Sequence, residues 1–344
     1  MNKALIKTLN VAIVSVYLIF LAGSVVRMTG SGMGCPDWPK CFGYYIPPTS
    51  EEQLLWQPNT SFHKGAIIIH NEALFVAEQD LTTQQNFNSK NWEAYTKHEY
   101  AVFNVYHTWT EYVNRLASVV SGFVFLILLF RVTFTKNKVA GVASLVYVAF
   151  LGMLFEAWLG KVVVDSFLTP YIITFHMIGG LVIIGLLLRA RFLVKQSDLS
   201  TGYKFNKLFH RLLYVSLLMM IFQILLGTQV RQFVDEQVKL YGFDHKKLSL
   251  LDPSFKFYFH RSFTIIVVIV NLMLYWYNKK FLLKFKQVNW ILALLFFEAF
   301  TGILMYYVRF PFGTQAIHLL SGALMFGVLL HMIFISNRLN RFKS

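Results

Sequence analysis

The chain has 344 residues, 56% of them hydrophobic and only 14% charged, with a mean hydropathy of +0.51. A soluble domain is nearer a quarter charged, so a soluble enzyme, a disordered chain and a secreted disulfide scaffold are excluded in favour of a polytopic helical membrane protein. The net charge of +15 would suit a nucleic-acid partner in a soluble protein, but its sidedness, described below, assigns it to topology. Two cysteines, Cys35 and Cys41, are too few for a four-thiolate zinc or iron–sulfur site.

In chain order, apolar runs of spanning length predict eight helices, at 8–26, 106–131, 139–160, 171–193, 209–231, 257–278, 288–308 and 312–335. The first follows Lys3 and Lys7 as a signal peptide would. No small-residue cleavage site comes after it, and it has a counterpart in the second half, so it is kept as a span. A long loop, 27–105, follows. Cys35 and Cys41 lie there six residues apart in a Gly/Pro-rich turn. On an oxidising side of the membrane they are expected to close a small disulfide, with two free thiols as the alternative. The loop also carries Trp56, Trp92, His63, His70 and His98, and reads either as a cover or partner surface or as a solvated insertion. A second long loop spans 232–256.

The N-terminus, the 131–138, 189–211 and 279–286 loops and the C-terminus hold 18 of the 32 lysines and arginines. Both termini are therefore predicted cytoplasmic, in a multi-pass protein of the cell (cytoplasmic or inner) membrane with lipid as its surroundings and no nucleic-acid partner.

The halves repeat. Gly23-Ser-Val-Val-Arg27 ends the first helix and Gly227-Thr-Gln-Val-Arg231 the fifth. Asn114-Arg115 matches His260-Arg261, and Phe155-Glu156-Ala157 matches Phe297-Glu298-Ala299. Glu156 to His176 and Glu298 to His318 are both 20 residues, with Gly160 and Gly302 in register. Arg27 to Arg115 is 88 residues against 30 from Arg231 to Arg261, so the excess of 58 falls in the first loop. Four helices per half predict two pseudo-symmetric four-helix bundles, residues 1–200 and 201–344, related by an axis along the membrane normal.

Ionisable residues at membrane depth are costly and point to function. His260 and His318, with His176 at the repeat-related place, lie on the order of 5–10 Å inside the outer boundary. Two histidines at equal depth on facing helices suit axial ligation of a heme iron. Zinc or copper is less suited, since no cysteine or carboxylate completes a compact set. Arg27, Arg115, Arg231 and Arg261, at outer helix ends, read as propionate partners or as snorkelling interfacial residues. Glu111 lies one turn before Asn114 and has no counterpart in the second half, where Phe257 stands. It reads as a proton-handling carboxylate of a reacting site, or else as a structural partner of Arg115. Glu156 and Glu298 read mainly as interhelical polar contacts, with a proton-path role as the weaker alternative.

The run Arg27-Met-Thr-Gly-Ser-Gly-Met-Gly-Cys35-Pro-Asp-Trp-Pro-Lys-Cys41-Phe-Gly43 resembles the first outer loop of the heme A synthase family, and Glu111-Tyr-Val-Asn-Arg115 its Glu-x-x-His-Arg motif. The resemblance implies a membrane oxidoreductase that converts the C8 methyl of heme O to a formyl group for terminal oxidase biogenesis. It implies heme b held by His260 and His318 in the C-terminal bundle, heme O in the N-terminal bundle at His176, Glu111 as the essential carboxylate, and Cys35 and Cys41 as the loop pair. Heme O synthase and an electron acceptor are the implied partners; homo-oligomerisation is left open. The family's helix-two histidine is Asn114 here, a poor iron ligand, so a five-coordinate substrate heme is expected unless His107, His63, His70 or His98 supplies the missing ligand. The alternatives are a bis-histidine cytochrome b for electron transfer and a heme transporter or chaperone.

Overall fold

A computed structural model describes residues 3–95, 103–136, 138–166, 169–195, 202–242 and 249–341. Among the described residues, eight helices are long and apolar enough to cross a membrane: α1 (Lys3–Thr29), α2 (Val105–Phe134), α3 (Val142–Asp165), α4 (Pro170–Val194), α5 (Lys207–Tyr241), α6 (Phe255–Lys280), α7 (Gln287–Tyr307) and α8 (Thr314–Arg341). The chain is thus a multi-pass helical membrane protein. Local chemistry sets several of the starts. Asn104 caps α2 by accepting from the Tyr106 and His107 N–H groups, Asn206 caps α5 at Phe209, and Pro170 opens α4 where no donor is needed.

One apolar cluster draws on α1, α2, α3 and α4 together with Ala323 and Phe326 of α8; a second draws on α5 to α8 with Phe192 of α4. The helix α8 joins them. Its apolar stretch is 61% buried, against 33% or less for the others. The outward faces of α2, α3, α6 and α7 expose Phe123, Phe130, Leu151, Trp158, Ile265, Trp290 and Phe296, a surface that only lipid solvates.

Two features depart from the sequence expectations. The helix α5 runs ten residues past its predicted end at Arg231, through Gln232–Tyr241. That stretch contains no proline or glycine and is laced by i,i+4 pairs, Arg231 with Asp235 and Gln232 with Glu236. The second long loop is correspondingly shorter.

The first long loop is not bare coil. It carries β1 (Ser61–Phe62), β2 (Ile67–His70), β3 (Ala73–Ala77), β4 (Leu81–Thr82) and β5 (Trp92–Ala94). β1 pairs with β4, and β2, β3 and β5 form an antiparallel sheet in that order. Asn71 and Glu72, both at positive φ, make the two-residue turn between β2 and β3. Period-two alternation sends Ile68 and Phe75 to one face, against Phe62, Trp92, Trp56 and Phe87. The other face packs Ile67, Ile69, Leu74 and Val76 against Phe42 and Leu54. The 58-residue excess is therefore a small β-insert with its own apolar clusters.

Candidate functional site

The disulfide expected between Cys35 and Cys41 is present, and both sulfur-bearing residues are buried. Their loop is clamped to the first turns of α2. Thr108 Oγ1 donates to Gly34 O (2.8 Å) and Trp109 Nε1 to Pro48 O (3.2 Å), and from the end of the β-insert Tyr95 OH donates to Pro36 O (2.8 Å). Gly34 is required by close approach: a Cβ there would sit 2.4 Å from the His107 carbonyl oxygen. Arg115 is caged by the same loop, donating to Asp37 O (3.0 Å), Lys40 O (2.9 Å) and Cys35 O (3.2 Å).

Glu111 is buried under that clamp at 3% exposure. One oxygen accepts from Arg115 (2.6 Å) and the other from the Cys35 N–H (2.8 Å). The Glu111–Arg115 pair considered from sequence thus forms, and a third partner comes from the disulfide loop. Asp37 anchors the next turn by accepting from Gly43 N (2.8 Å). Burial pushes its carboxyl above the usual range, against the pull of the Gly43 and Phe42 backbone donors and of Arg115.

In the second half, the rings of His260 and His318 face each other with centroids 6.4 Å apart and planes crossing at 68°. They line a partly open cleft with Met220, Gln223, Gly227 and Glu298 in its walls. Phe20, Ser24, Arg27 and Met28 of α1 and Met177 and Leu181 of α4 complete it, so the first half contributes to the second half's cavity. Gln223 Nε2 donates to His260 O (2.9 Å) and Thr264 Oγ1 (2.7 Å). At the mouth, Arg27 donates through Nε (3.1 Å) and Nη2 (2.7 Å) to Asp235, whose other oxygen takes Arg231 (2.7 Å). Arg231 also donates to Arg27 O (2.8 Å), while its Nε and Nη1 are buried with no hydrogen-bond partner. Asp235 was invisible to the sequence reading, although its i,i+4 spacing from Arg231 was a usable signal. Arg261 does not line the cleft; it is exposed, with its guanidinium over Tyr258 (5.2 Å) and Phe257 (5.9 Å).

In the first half His176 of α4 meets Glu156 of α3 through Nδ1, as in the second half His318 meets Glu298 (3.1 Å), with Thr301 Oγ1 also at Nδ1 (2.9 Å). The buried Asn114 Oδ1 has no hydrogen-bond partner and points towards Gly23. Of the candidate replacement ligands, His107 is tied to Ser31 Oγ (2.9 Å). His70 is stacked on Phe87 inside the β-insert (4.0 Å), and His63 is exposed beside Asp80. His98 lies outside the described residues. Among the described residues, no three His, Cys, Asp or Glu side chains converge as a bare metal site.

A heme between His260 and His318 passes a simple geometric test. An iron atom held by one nitrogen of each ring, at about 2 Å per bond, would need ring centroids roughly 6 Å apart. The observed 6.4 Å fits, the walls are apolar, and buried guanidinium donors stand at the mouth.

These features define a multi-span helical membrane protein with a histidine-paired, largely apolar cleft among its helices. The chain belongs to the COX15-CtaA family, described as cytochrome oxidase assembly protein, whose profile matches residues 7–64 and 65–330. It is 25% identical over 219 residues to a heme A synthase of Shewanella oneidensis (strain MR-1), a match covering 64% of this chain and 54% of that protein. The chain therefore spans about half the length of that relative. The resemblance seen in Arg27–Gly43 and Glu111–Arg115 is borne out at the family level.

Proposed function

We propose that this protein is a heme A synthase, oxidising the C8 methyl of heme O to a formyl group in the membrane. The observation that carries the reading is the spacing of His260 and His318 in a cleft whose mouth holds buried arginine donors. Family membership and the Shewanella relative support it. We read residues 1–200 and 201–344 as two pseudo-symmetric bundles with both termini cytoplasmic.

His260 and His318 would hold heme b, which when bound supplies a route for electrons leaving the substrate. Arg231, with two unpartnered nitrogens, and Arg27 would bind its propionates. In the first bundle His176 would be the iron ligand of the substrate heme. Asn114 stands where His260 stands in the second half, and with His107 engaged by Ser31 the substrate iron is read as five-coordinate. Glu111, one turn above Asn114, takes the protons released as the methyl group is oxidised. Its lone carboxylate has no counterpart in the second half, which is why the first bundle is read as the reacting one. Arg115 is occupied by loop carbonyls and Glu111, so its role is to lock the disulfide loop over that carboxylate.

The decisive experiment is co-expression with a heme O synthase, followed by chromatography and mass analysis of the extracted hemes. Heme A in the extract supports the reading. Heme-loaded protein with only unchanged heme O overturns it and leaves a cytochrome b or heme-carrier role.

A further inference from the structure

Two carboxylates have no part in the chemistry so far, yet they hold the same place in each half. Glu156 of α3 meets His176 of α4 through Nδ1, and Glu298 of α7 meets His318 of α8 through Nδ1 at 3.1 Å. In each case the contact is built on glycines. Four residues after each glutamate, Gly160 or Gly302 faces the Cε1 edge of the same ring. On the histidine helix a second glycine stands beside the carboxylate, required for room at Gly179 and in ordinary contact at Gly322. A Cβ on Gly179 would lie 1.8 Å from Glu156 Oε1, and one on Gly322 would lie 3.4 Å from Glu298 Oε1. The arrangement thus occurs twice, on independent residues. His260 has no such clasp: among the described residues no carboxylate is paired with its ring, whereas His176 and His318 each have one.

An imidazole coordinates iron through one nitrogen, and the partner of the other nitrogen fixes tautomer and ring orientation. A carboxylate at Nδ1 requires the proton there and leaves Nε2 as the free lone pair. It also makes the ring a stronger donor, which favours the ferric over the ferrous state. Thr301 Oγ1, which donates its own hydrogen to Phe297 O (2.7 Å), adds a second acceptor at His318 Nδ1 (2.9 Å).

We propose that Glu298 and Glu156 are positioning residues that act through His318 and His176. Each takes the Nδ1–H of its histidine and presents Nε2 to a heme iron. Glu298 thereby lowers the reduction potential of the heme in the second half, where His318 is the stronger and His260 the weaker of two unequal ligands. In the first half the same clasp strengthens a single ligand. This inference rests on the heme reading given above.

The test is a spectroscopically monitored redox titration of the purified, heme-loaded full-length protein, comparing wild type with Glu298→Gln and Glu298→Asp. Glu298→Gln keeps the shape but removes the charged acceptor. It is expected to shift the reduction equilibrium towards ferrous by about tenfold, or about 59 mV for one electron, with the low-spin spectrum retained. Glu298→Asp, which keeps the charge but draws it back, should shift it less in the same direction. An unchanged potential in a heme-loaded Glu298→Gln protein overturns the proposal. Loss of heme from both variants while wild type stays loaded marks a merely structural role and overturns it equally. Failure of the wild type itself to show a low-spin, two-histidine heme overturns the heme reading instead.

Discussion

At the scale of single residues, charge inside the protein is held by partners, and those partners define the predictions. Glu111 is buried between the Arg115 guanidinium and the Cys35 N–H. Glu111→Gln keeps the shape but leaves one acceptor oxygen for two donors, so either the Arg115 or the Cys35 contact is given up while the disulfide and the other loop contacts remain. As loss of a positioned proton acceptor, it should lower heme A yield by roughly 100-fold or more while heme b content is unchanged. Hemes extracted from equal amounts of protein decide this; a yield within a factor of a few of wild type removes Glu111 from the chemistry. Asp37 behaves differently. Burial raises its folded carboxyl above the unfolded value, so folding favours its protonated form. The sign of linkage then runs opposite to that of a salt-bridged carboxylate. Stability of the loop is greatest below the unfolded value and declines as pH rises through the folded one. Asp37→Asn, whose side-chain oxygen still accepts from Gly43 N, should therefore resist loop proteolysis better than wild type at pH 8, by a margin that shrinks as the pH is lowered towards the unfolded value. Faster cleavage of the variant at pH 8 would contradict that assignment.

At the scale of elements, the helices were readable because each is a long apolar run, and a membrane enforces the length. The β-insert was not. Its strands are two to five residues long, and its only tight hairpin turn uses Asn71-Glu72, which lacks the glycine that normally advertises such a turn. The helical extension of α5 was hidden because it leaves the apolar pattern while keeping helix-forming residues. Glu156 and Glu298 were legible as a pair from their equal spacing to His176 and His318. That they touch Nδ1 could not be read, since neither spacing nor periodicity says which helices are neighbours. The disulfide loop carries the element-scale prediction. Gly34 packs against the α2 backbone, where a Cβ would meet the His107 carbonyl at 2.4 Å. Gly34→Ala must lift the loop, at about 1–3 kcal/mol for overpacking, and with it the Cys35 N–H from Glu111. Limited proteolysis should then cut within 30–50 sooner than in wild type, with heme b binding in the second half preserved. An unchanged cleavage rate would show that the loop is held from the β-insert rather than from α2.

At the scale of the whole molecule, the two halves are fastened at the mouth of the cleft by three side chains. Arg27 comes from the first half; Arg231 and Asp235 come from the second. Asp235 is the only carboxylate that either arginine contacts among the described residues, and it sits between two cations whose own repulsion it offsets. The side chains are 18–31% exposed, so the pair interactions are partly desolvated. Removing Asp235 leaves two guanidinium groups facing one another, and the expected cost of roughly 1–3 kcal/mol lies below that of a fully buried pair. Heme changes this balance if its propionates occupy the unpartnered Arg231 nitrogens, because the propionates then supply the missing negative charge. Asp235→Asn should therefore lower the melting temperature of heme-free protein clearly, and that of heme-loaded protein much less. Thermal unfolding of the two preparations in the same detergent measures the difference. Equal losses with and without heme would mean that the arginines serve the joint between the halves alone, and that the propionates point elsewhere.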